Sequence, residues 1–312
     1  MLELNFAKIP LSRRLCYTAL ILTSMIYPGH QPWQTKLLKP GPIAADVAVQ
    51  FDPAPYPQND GTDLPAITAR AVVIQDGESK TMMYERSPDT LLLPASTTKI
   101  MTAIVALDHY QLDEIITITP SDSSTGQLIK FEVGESLTVE SLLFGLLISS
   151  GNDAATTLAN HYPGGSESFV EAMNAKARQL HLHNTAYRNP TGIDQVGHVT
   201  TARDLAVLTT VAMQNDVVAR IVVLPTHTIT DTTDAIHHQL IATNELVGEV
   251  EGLRGLKTGW TENAGECLVT YVERDDHPVV VVVLNSADRF GETRALIDWV
   301  YSHHSWINLD NS

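Results

Sequence analysis

The strongest constraint on the fold is the placement of strand-like segments at both ends of the chain, on either side of a helical middle. Toward the N-terminus, ARAVVIQDGESKTMMYER predicts two strands joined across Asp76 and Gly77. Toward the C-terminus, three more strands are predicted by GLRGLKTGW, CLVTYVE and PVVVVVLN, with ERDDH as the turn between the last two. Because both ends must then supply strands to one antiparallel sheet covered by helices, we expect an α+β (mixed α/β) fold.

Apolar residues recur at three- and four-residue spacing in the middle of the chain, which predicts helices. The first begins at Ser96, the second follows Thr138, and two more cover 167–180 and 202–213. A threonine precedes the second and the fourth, and its hydroxyl can accept a hydrogen bond from a free N–H of the first turn. Strands are expected again after about residue 217, and an amphipathic helix follows the final strand.

Residues 1–27 have the order of an export signal. Lys8, Arg13 and Arg14 precede LCYTALILTSMIY, an uncharged and mostly apolar stretch that ends before Pro28. At 1.5 Å per residue this stretch spans about 20 Å, less than the roughly 30 Å of a hydrocarbon core. We expect a signal peptide or an N-terminal membrane anchor, and with either one the rest of the chain is exported to the periplasm or another extracytoplasmic surface.

Residues 28–65 contain eight prolines in a mixed sequence without periodicity. Proline removes a backbone donor and favours extended backbone, so we interpret this stretch as a spacer. Residues 66–306 then form one catalytic domain.

The charge balance excludes one broad class of function. The chain has 20 lysines and arginines against 36 aspartates and glutamates, a formal net charge of −16. A general nucleic-acid binder needs a basic surface to displace counterions from phosphates, so this class of function is excluded.

The two cysteines are too few for a disulfide framework, and Cys267 lies in an apolar stretch where a buried side chain is expected.

Ser96-Thr97-Thr98-Lys99 places a hydroxyl and an amine one helical turn apart. Because Ser96 is expected to open a helix, its hydroxyl would lie near unpaired backbone donors at the positive end of the helix dipole. Lys99 could take the Ser96 proton if burial or a neighbouring cation lowers the pKa of its amine. The alternative is a serine N-cap followed by a lysine that faces solvent.

Two further segments offer polar groups at breaks in the pattern. Ser150-Gly151-Asn152 separates two helices, where a hydroxyl and an amide can relay a proton and hold a substrate carbonyl, or simply form a turn. Lys257-Thr258-Gly259 lies inside a predicted strand and offers a charge and a hydroxyl to a carboxylate. Its glycine would let a ligand lie against the strand. The alternative is an exposed edge strand that carries a lysine.

Together, PASTTKIMTA, SSGNDAA, NPTGIDQVGHVTTARDLAVL and GLRGLKTGWTENAGECLV resemble the serine-type D-alanyl-D-alanine carboxypeptidases, the low-molecular-mass penicillin-binding proteins of peptidase family S11. The resemblance runs from about residue 69 to residue 301. It implies a β-lactamase/transpeptidase-like fold in which Ser96 forms an acyl-enzyme with a peptidoglycan stem peptide and releases its terminal D-alanine. It also implies that β-lactams acylate the same serine as covalent inhibitors and that no cofactor or metal is needed.

The resemblance implies further roles in proton transfer, substrate binding and oxyanion stabilisation. Lys99 is the implied proton acceptor and Ser150 the implied proton relay. The residues implied to contact the substrate are Asn152, Lys257, Thr258 and Gly259. The oxyanion would rest on the backbone N–H groups of Ser96 and Trp260.

Two positions depart from the family pattern. Trp260 follows K-T-G, where many members carry a small polar residue, His or Tyr, and Thr191 stands where a histidine is common in N-P-x-G. We interpret Asn189-Pro190-Thr191-Gly192 as a turn that, by likeness to the family, borders the cleft.

The same motifs leave two other functions open. A β-lactamase usually has an aspartate in the middle of S-x-N, where this chain has Gly151. A β-lactam-sensing or peptidoglycan-binding module would be acylated once without turnover.

A zinc site at His181 and His183, or at Asp194 and His198, is a weaker alternative because neither pair has a further ligand at helical i, i+4 spacing. We expect stem peptides ending in D-Ala-D-Ala and β-lactams as partners, no nucleic acid, and membrane contact only through the N-terminal segment.

Overall fold

A computed structural model of the protein describes residues 54–308. The predicted signal or anchor at 1–27 and most of the predicted spacer lie outside the described residues. The strands in this part of the chain are β1 (Tyr56–Asn59), β2 (Ala71–Asp76), β3 (Met82–Arg86), β4 (Ile115–Thr117), β5 (Ser136–Thr138), β6 (Thr226–Thr230), β7 (His237–Ile241), β8 (Leu253–Thr261), β9 (Gly265–Arg274), β10 (His277–Ser286) and β11 (His304–Ile307). The helices are α1 (Lys99–His109), α2 (Val139–Leu147), α3 (Asn152–Asn160), α4 (Gly165–Gln179), α5 (Ala202–Met213), α6 (Asp216–Val222) and α7 (Arg289–His303).

The central sheet contains strands from both ends of the chain. Its five strands lie in the order β3-β2-β10-β9-β8, and every neighbouring pair is antiparallel. The N-terminal hairpin joins the C-terminal strands where β2 pairs with β10, for example at Ile74 and Val281. This arrangement confirms the α+β prediction. It also makes β8, which carries Lys257-Thr258-Gly259, an edge strand.

The sheet is buried on both faces because alternate residues of β10 point to opposite sides. Val279, Val281 and Val283 pack in one apolar cluster with Leu296 and Val300 of α7. Val280, Val282 and Leu284 belong to a second, larger cluster that includes residues of α1, α2, α3 and α5. The continuous valine run of β10 therefore reflects burial between α7 and the other helices.

Two of the predicted helix starts are capped as expected. The Thr138 hydroxyl accepts a hydrogen bond from the backbone N–H of Ser141 at 3.1 Å, and α2 begins at the next residue. Thr201 accepts from the N–H of Asp204 at 3.1 Å, and α5 has the predicted bounds 202–213.

The structure differs from the predicted elements at two places. Ser96 lies in a 3₁₀ turn, Ala95–Thr98, and the α-helix itself begins at Lys99. Beyond residue 217, where strands were expected, the chain is still helical in α6, and the start of this helix is capped by the Asn215 side chain, which accepts hydrogen bonds from the N–H groups of Val217 and Val218, at 2.9 and 3.4 Å. The strands therefore return only at Thr226.

The folded part of the chain begins before residue 66. Residues 56–59, which the sequence analysis assigned to the spacer, form β1 and pair with β11, from Tyr56 with Ile307 to Asn59 with His304. The indole N–H of Trp299 donates to the carbonyl oxygen of Thr62 at 3.1 Å. The prolines of this stretch do not prevent the pairing, because β1 belongs to a two-stranded sheet and has one free edge.

Among the described helices, none is by itself long and apolar enough to cross a membrane. One bent pair, α5 with α6, meets the criteria of length and composition together, with 102° between the two helices.

Candidate active site

Ser96 lies on a tight turn that is held between β8 and the loop before α5. The preceding residue, Ala95, has a left-handed backbone with φ of 47°. A Cβ atom at Gly192 would lie 1.8 Å from the Ala95 carbonyl oxygen, and one at Gly259 would lie 3.1 Å from the Ser96 backbone nitrogen. Gly192 therefore lets its segment approach the Ser96 turn more closely than a side chain would permit, and a side chain at Gly259 would require the turn to shift by a few tenths of an ångström.

The Lys99 amine lies directly beside the Ser96 hydroxyl. Lys99 Nζ is 2.8 Å from Ser96 Oγ and 2.7 Å from the carbonyl oxygen of Thr191. The side chain does not reach solvent, since Lys99 is 0% exposed. The alternative of a solvent-facing lysine after a serine N-cap is therefore wrong.

The surroundings of Lys99 favour its neutral form. Burial lowers the pKa of Lys99 well below its usual 10.5, and the nearby ammonium of Lys257 lowers it further. The carboxylate of Asp153 acts in the opposite direction and raises the pKa of Lys99. Burial also lowers the pKa of Lys257, to about 7, with Arg289 as a second cause. A neutral amine beside a hydroxyl has a lone pair that can accept the hydroxyl proton.

Ser150 and Asn152 lie on the turn between α2 and α3. Ser150 has a left-handed backbone with φ of 59°, and its hydroxyl makes no hydrogen bond within residues 54–308. Asn152 is 5% exposed, and its side-chain N–H donates to the carbonyl oxygen of Thr125 at 2.5 Å. Its side-chain oxygen is buried and has no partner among the described residues.

The loop that precedes β5 is fixed to the N-terminal end of α3. The backbone N–H of Asn152 donates to the carbonyl oxygen of Gln127 at 2.8 Å. The Asp153 carboxylate accepts from the N–H groups of Ile129, at 2.9 Å, and Lys130, at 2.8 Å. These bonds hold Gly126 and Gln127 at the wall of the cleft.

The middle of β8 places two predicted residues at different depths. Lys257 is 1% exposed, and its amine donates to the carbonyl oxygen of Thr258 at 3.2 Å. The Thr258 hydroxyl is 2.7 Å from the hydroxyl of Thr243. Trp260, in contrast, is 62% exposed. The alternative of an exposed lysine on an edge strand is wrong, because the strand is at the edge but the lysine is buried.

Most of the predicted residues line one cleft of about 580 Å³. Those at its surface are Ser96, Ser150, Asn152, Thr258, Gly259 and Trp260. Lys99 and Lys257 do not reach the cleft surface and lie behind its walls. The structure thus brings together three segments that are separated in the sequence by 50 and by 104 residues.

Two contributions to this cleft were not identified in the sequence. The first is the backbone carbonyl of Thr191, which binds Lys99, although the segment was interpreted only as a turn at the cleft border. The Asn189 side chain organises that turn by accepting from the N–H groups of Thr191 and Gly192, at 3.2 and 2.8 Å. The sequence signal for this turn is an asparagine directly before Pro-x-Gly, because an asparagine side chain can hydrogen-bond to the backbone two residues on.

The second contribution is Arg289, at the start of α7. Its guanidinium donates to the carbonyl oxygen of Gly259 at 2.9 Å and lines the cleft. It adds a positive charge close to Lys257, whose pKa it lowers. No local pattern distinguishes this arginine from the other arginines of the chain.

Asp194 and His198, one of the two pairs weighed as zinc ligands, have other partners. The Asp194 carboxylate accepts from the Thr261 hydroxyl and the Asn263 side chain, at 2.7 and 2.9 Å. His198 is buried, and its Nε2 is 3.0 Å from the Thr98 hydroxyl. Within residues 54–308, no three His, Cys, Asp or Glu side chains are grouped so that they could hold a metal ion.

Comparison with known proteins identifies the family. Residues 58–288 match the D-alanyl-D-alanine carboxypeptidase family, Peptidase_S11. The chain is 31% identical to the D-alanyl-D-alanine carboxypeptidase DacF of Bacillus subtilis, over 81% of this chain and 68% of that protein. It is 34% identical to the D-alanyl-D-alanine endopeptidase of Pseudomonas aeruginosa, over 80% of this chain and 81% of that protein. The crystal structure of the Streptomyces K15 DD-transpeptidase is 30% identical and has a TM-score of 0.74, covering 77% of this chain and 100% of that chain. The chain therefore belongs to the D-alanyl-D-alanine carboxypeptidase family of serine peptidases.

Proposed function

We propose that this protein removes the terminal D-alanine from peptidoglycan stem peptides, with Ser96 as the nucleophile and Lys99 as its base. The observation that carries the proposal is the 2.8 Å distance between Lys99 Nζ and Ser96 Oγ, with the amine buried and its pKa lowered. A serine hydroxyl becomes a useful nucleophile when an adjacent base takes its proton.

In the acylation step, Ser96 Oγ attacks the carbonyl carbon of the penultimate D-alanine and its proton passes to Lys99. The resulting oxyanion accepts hydrogen bonds from the backbone N–H groups of Ser96 and Trp260. The close approach of Gly259 to the Ser96 nitrogen supports this pairing, because it brings the β8 backbone beside the Ser96 turn. The C–N bond then breaks, and the departing D-alanine amine receives a proton that Ser150 relays.

In the deacylation step, water attacks the ester carbonyl and the shortened peptide leaves. The Ser96 oxygen regains a proton, and the enzyme returns to its starting state. Lys99 can accept the proton of the attacking water, because it is the amine closest to the ester oxygen. Penicillin would enter the same route as far as the acyl-enzyme on Ser96.

The terminal carboxylate of the substrate would bind at the positive side of the cleft. The proposed partners are the Thr258 hydroxyl, the Gly259 segment and the charges of Lys257 and Arg289. A chain with a net charge of −16 repels anions at long range, so local cations must supply the binding field. Asn152 would hold the peptide through its side-chain oxygen, which has no partner within the described part of the chain.

This activity belongs outside the cytoplasm, where the peptidoglycan lies. We propose an exported protein in which residues 1–27 are the signal or the membrane anchor and any membrane contact is made by this segment. The catalytic domain would include β1, so we propose that it begins near residue 54 and that the spacer ends there.

One assay distinguishes this function from its alternatives. The purified protein is incubated with labelled penicillin and, separately, with an N-acyl-D-Ala-D-Ala peptide. Release of D-alanine together with a penicilloyl adduct at Ser96 is the expected result. Fast turnover of penicillin would indicate a β-lactamase, and stoichiometric labelling without release of D-alanine from the peptide would indicate a sensor. Ser96→Ala should abolish both reactions, and Ser302→Ala, on the exposed side of α7, should change neither.

A further inference from the structure

A second cavity lies behind the wall of the catalytic cleft. It has a volume of about 210 Å³ and is lined by the loop between β4 and β5 and by two residues of α3. Ser124 and Leu128 of this loop line the cavity, whereas Gly126 and Gln127, which lie between them in the sequence, line the catalytic cleft. The cavity and the cleft therefore share this segment as a wall.

Most of the cavity lining is apolar. The side chains of Ile118, Leu128, Phe131 and Val133 form this part of the lining. A cavity of about 150 Å³ that is lined by leucine, isoleucine and phenylalanine binds benzene in another protein. Val133 is also 65% exposed, which gives a ligand a route into the cavity from solvent. The volume and the lining therefore fit a small apolar ring or a short chain.

The hydroxyl of Thr157 is a buried polar group without a partner at this cavity. Thr157 lines the cavity and is 0% exposed, and its Oγ1 makes no hydrogen bond within the described part of the chain. The hydroxyls of Thr209 and Thr210 in α5, in contrast, donate to the carbonyl oxygens one turn earlier, at 2.7 and 3.2 Å. An unsatisfied buried hydroxyl is costly, so a ligand that supplies a hydrogen-bonding group is favoured here.

Two buried carboxylates, those of Asp122 and Asp153, also line the cavity. Asp153 accepts hydrogen bonds only from backbone N–H groups among the described residues. Asp122 accepts from Thr119, Asn160 and His161. Burial raises the pKa of Asp122, but these hydrogen bonds lower it more, so the pKa lies below its ordinary 3.8 and the carboxylate is charged at neutral pH.

The charge of the cavity lining is therefore negative. Among the described residues that line the cavity, Lys130 alone is a lysine or arginine. Its backbone N–H donates to Asp153, but its side chain is exposed to solvent. Charges act more strongly on a ligand inside a cavity than on one in water, and an exposed ammonium is screened more than a buried carboxylate. This field attracts an organic cation.

We propose that this cavity binds a small organic cation, with a primary ammonium group on an apolar ring or short chain. The apolar part packs against Leu128 and Phe131, and the ammonium group donates to the Thr157 hydroxyl. Asp122 and Asp153 supply the attractive field. The site lies outside the catalytic cleft, and the proposal does not rest on the proposed function.

The test compares two ligands of the same size that differ in charge. Binding of cyclohexylammonium and of cyclohexanol to the full chain is measured by isothermal titration calorimetry at pH 7, where the amine is protonated. Cyclohexylammonium should bind about fivefold to tenfold more tightly, the difference between a hydrogen bond from a charged group and one from a neutral group. Equal affinities would show that the cavity does not select a cation, and no binding of either ligand would show that it is not a binding site.

Thr157→Val removes the hydroxyl and nearly keeps the shape of the side chain. The Kd for cyclohexylammonium should rise about tenfold, because a hydrogen bond from a charged group is lost. Tm should not fall, since the hydroxyl has no partner in residues 54–308. Thr209→Val is the control, because Thr209 is equally buried in a helix but does not line the cavity. Its Kd should equal that of the unmodified protein, and an unchanged Kd in Thr157→Val would overturn the site.

Lys130→Gln tests the charge in the opposite direction, since a damaged cavity would not bind more tightly. Removing the exposed ammonium should lower the Kd for cyclohexylammonium about twofold to fivefold, the effect of one exposed charge. An unchanged or higher Kd would contradict the negative field on which the proposal depends.

A last comparison separates this cavity from the catalytic cleft. The titration is repeated on protein in which penicillin has acylated Ser96, and the Kd for cyclohexylammonium should be unchanged. Loss of binding after acylation would place the ligand in the catalytic cleft and overturn the site. Failure of penicillin to acylate Ser96 would overturn the proposed function instead, and the comparison of Thr157→Val with Thr209→Val would still decide whether the cavity binds the cation.

Discussion

Lys99 Nζ lies 2.8 Å from Ser96 Oγ, inside a shell that excludes water from the amine. The only other acceptor it meets among the described residues is the carbonyl oxygen of Thr191, at 2.7 Å. A carbonyl dipole gives an ammonium ion much less stabilisation than a carboxylate would. Together with the charge of Lys257, this setting explains how an amine of ordinary pKa 10.5 can act as a base near neutral pH.

The charge of Lys257 should be visible in the pH dependence of acylation. Lys257 lowers the pKa of Lys99, so Lys257→Met should raise that pKa and move the acidic limb of the rate profile to higher pH. The measurement is the second-order rate of penicillin acylation against pH. If the variant only binds penicillin more weakly, the acylation rate falls by the same factor at every pH. The pH at which the acidic limb lies reports the pKa of the base.

Lys176→Met is the matched control, because Lys176 pairs with Asp108 and does not line the cleft. Its acidic limb should coincide with that of the unmodified protein. An acidic limb that stays in place in Lys257→Met, or moves to lower pH, would contradict the proposed coupling between the two lysines.

Lys257→Met should also stabilise the fold. The pKa of Lys257 is about 7 in the folded protein against 10.5 in the unfolded chain, so the unfolded chain binds more protons between these values. Stability therefore rises with pH across this window, and below it the full cost of the buried lysine is present. Replacing buried ion pairs by apolar side chains of similar size is often neutral or gains about 1–4 kcal/mol, and among the described residues Lys257 has no carboxylate partner that would be left uncompensated.

The free energy of unfolding is measured in urea at pH 7 and at pH 10 for both proteins. The variant should be more stable at pH 7, and its advantage should be smaller at pH 10. An equal advantage at both pH values would show that the gain comes from packing and not from the charge.

Gly192→Ala should disable the nucleophile turn. The new Cβ atom would lie 1.8 Å from the Ala95 carbonyl oxygen, and the residue has φ of 88°, where alanine is strained. The turn must move, and a displacement of about 1 Å at a nucleophile can cost about a hundredfold in rate. Gly248→Ala is the control, because φ is 83° there and no atom lies within 4 Å of the new Cβ.

The measurement is the rate of penicillin acylation together with Tm for both variants. We expect a similar contribution from φ strain in both proteins, but a loss of acylation only in Gly192→Ala. Normal acylation in that variant would mean that the turn tolerates displacement.

The elements that the sequence predicted correctly are those encoded by local pattern. β10 follows from its continuous run of β-branched residues, and the hairpin of β2 and β3 follows from the turn signal at Asp76 and Gly77. The Thr201 side chain sets the start of α5 through a hydrogen bond from the backbone N–H three positions later. The spacing of Ser96 and Lys99 fixes their distance in the same way, even though their turn is 3₁₀ rather than α-helical at its start.

The remaining features depend on contacts that no local pattern contains. The bond between Lys99 and the carbonyl of Thr191 spans 92 residues and uses a backbone oxygen that any amino acid could supply. Arg289 reaches the cleft through the Gly259 carbonyl, which requires the order of the sheet to be known. The pair β4 and β5 consists of three-residue strands, too short for alternation to be recognised.

The N-terminal boundary of the domain can be tested by comparing two shortened chains. A chain that begins at residue 54 retains β1, its pairing with β11, and the bond from Trp299 to the Thr62 carbonyl. A chain that begins at residue 66 loses all three, together with Leu64, which packs against the α7 side of the sheet.

Because each lost hydrogen bond contributes about 0.5–1.5 kcal/mol, we expect the shorter chain to be less stable by a few kcal/mol. For a domain of this size Tm falls by about 2–4 °C for each kcal/mol, so the difference is measurable by calorimetry. Equal Tm values for the two chains would place the boundary at residue 66 and return residues 56–65 to the spacer.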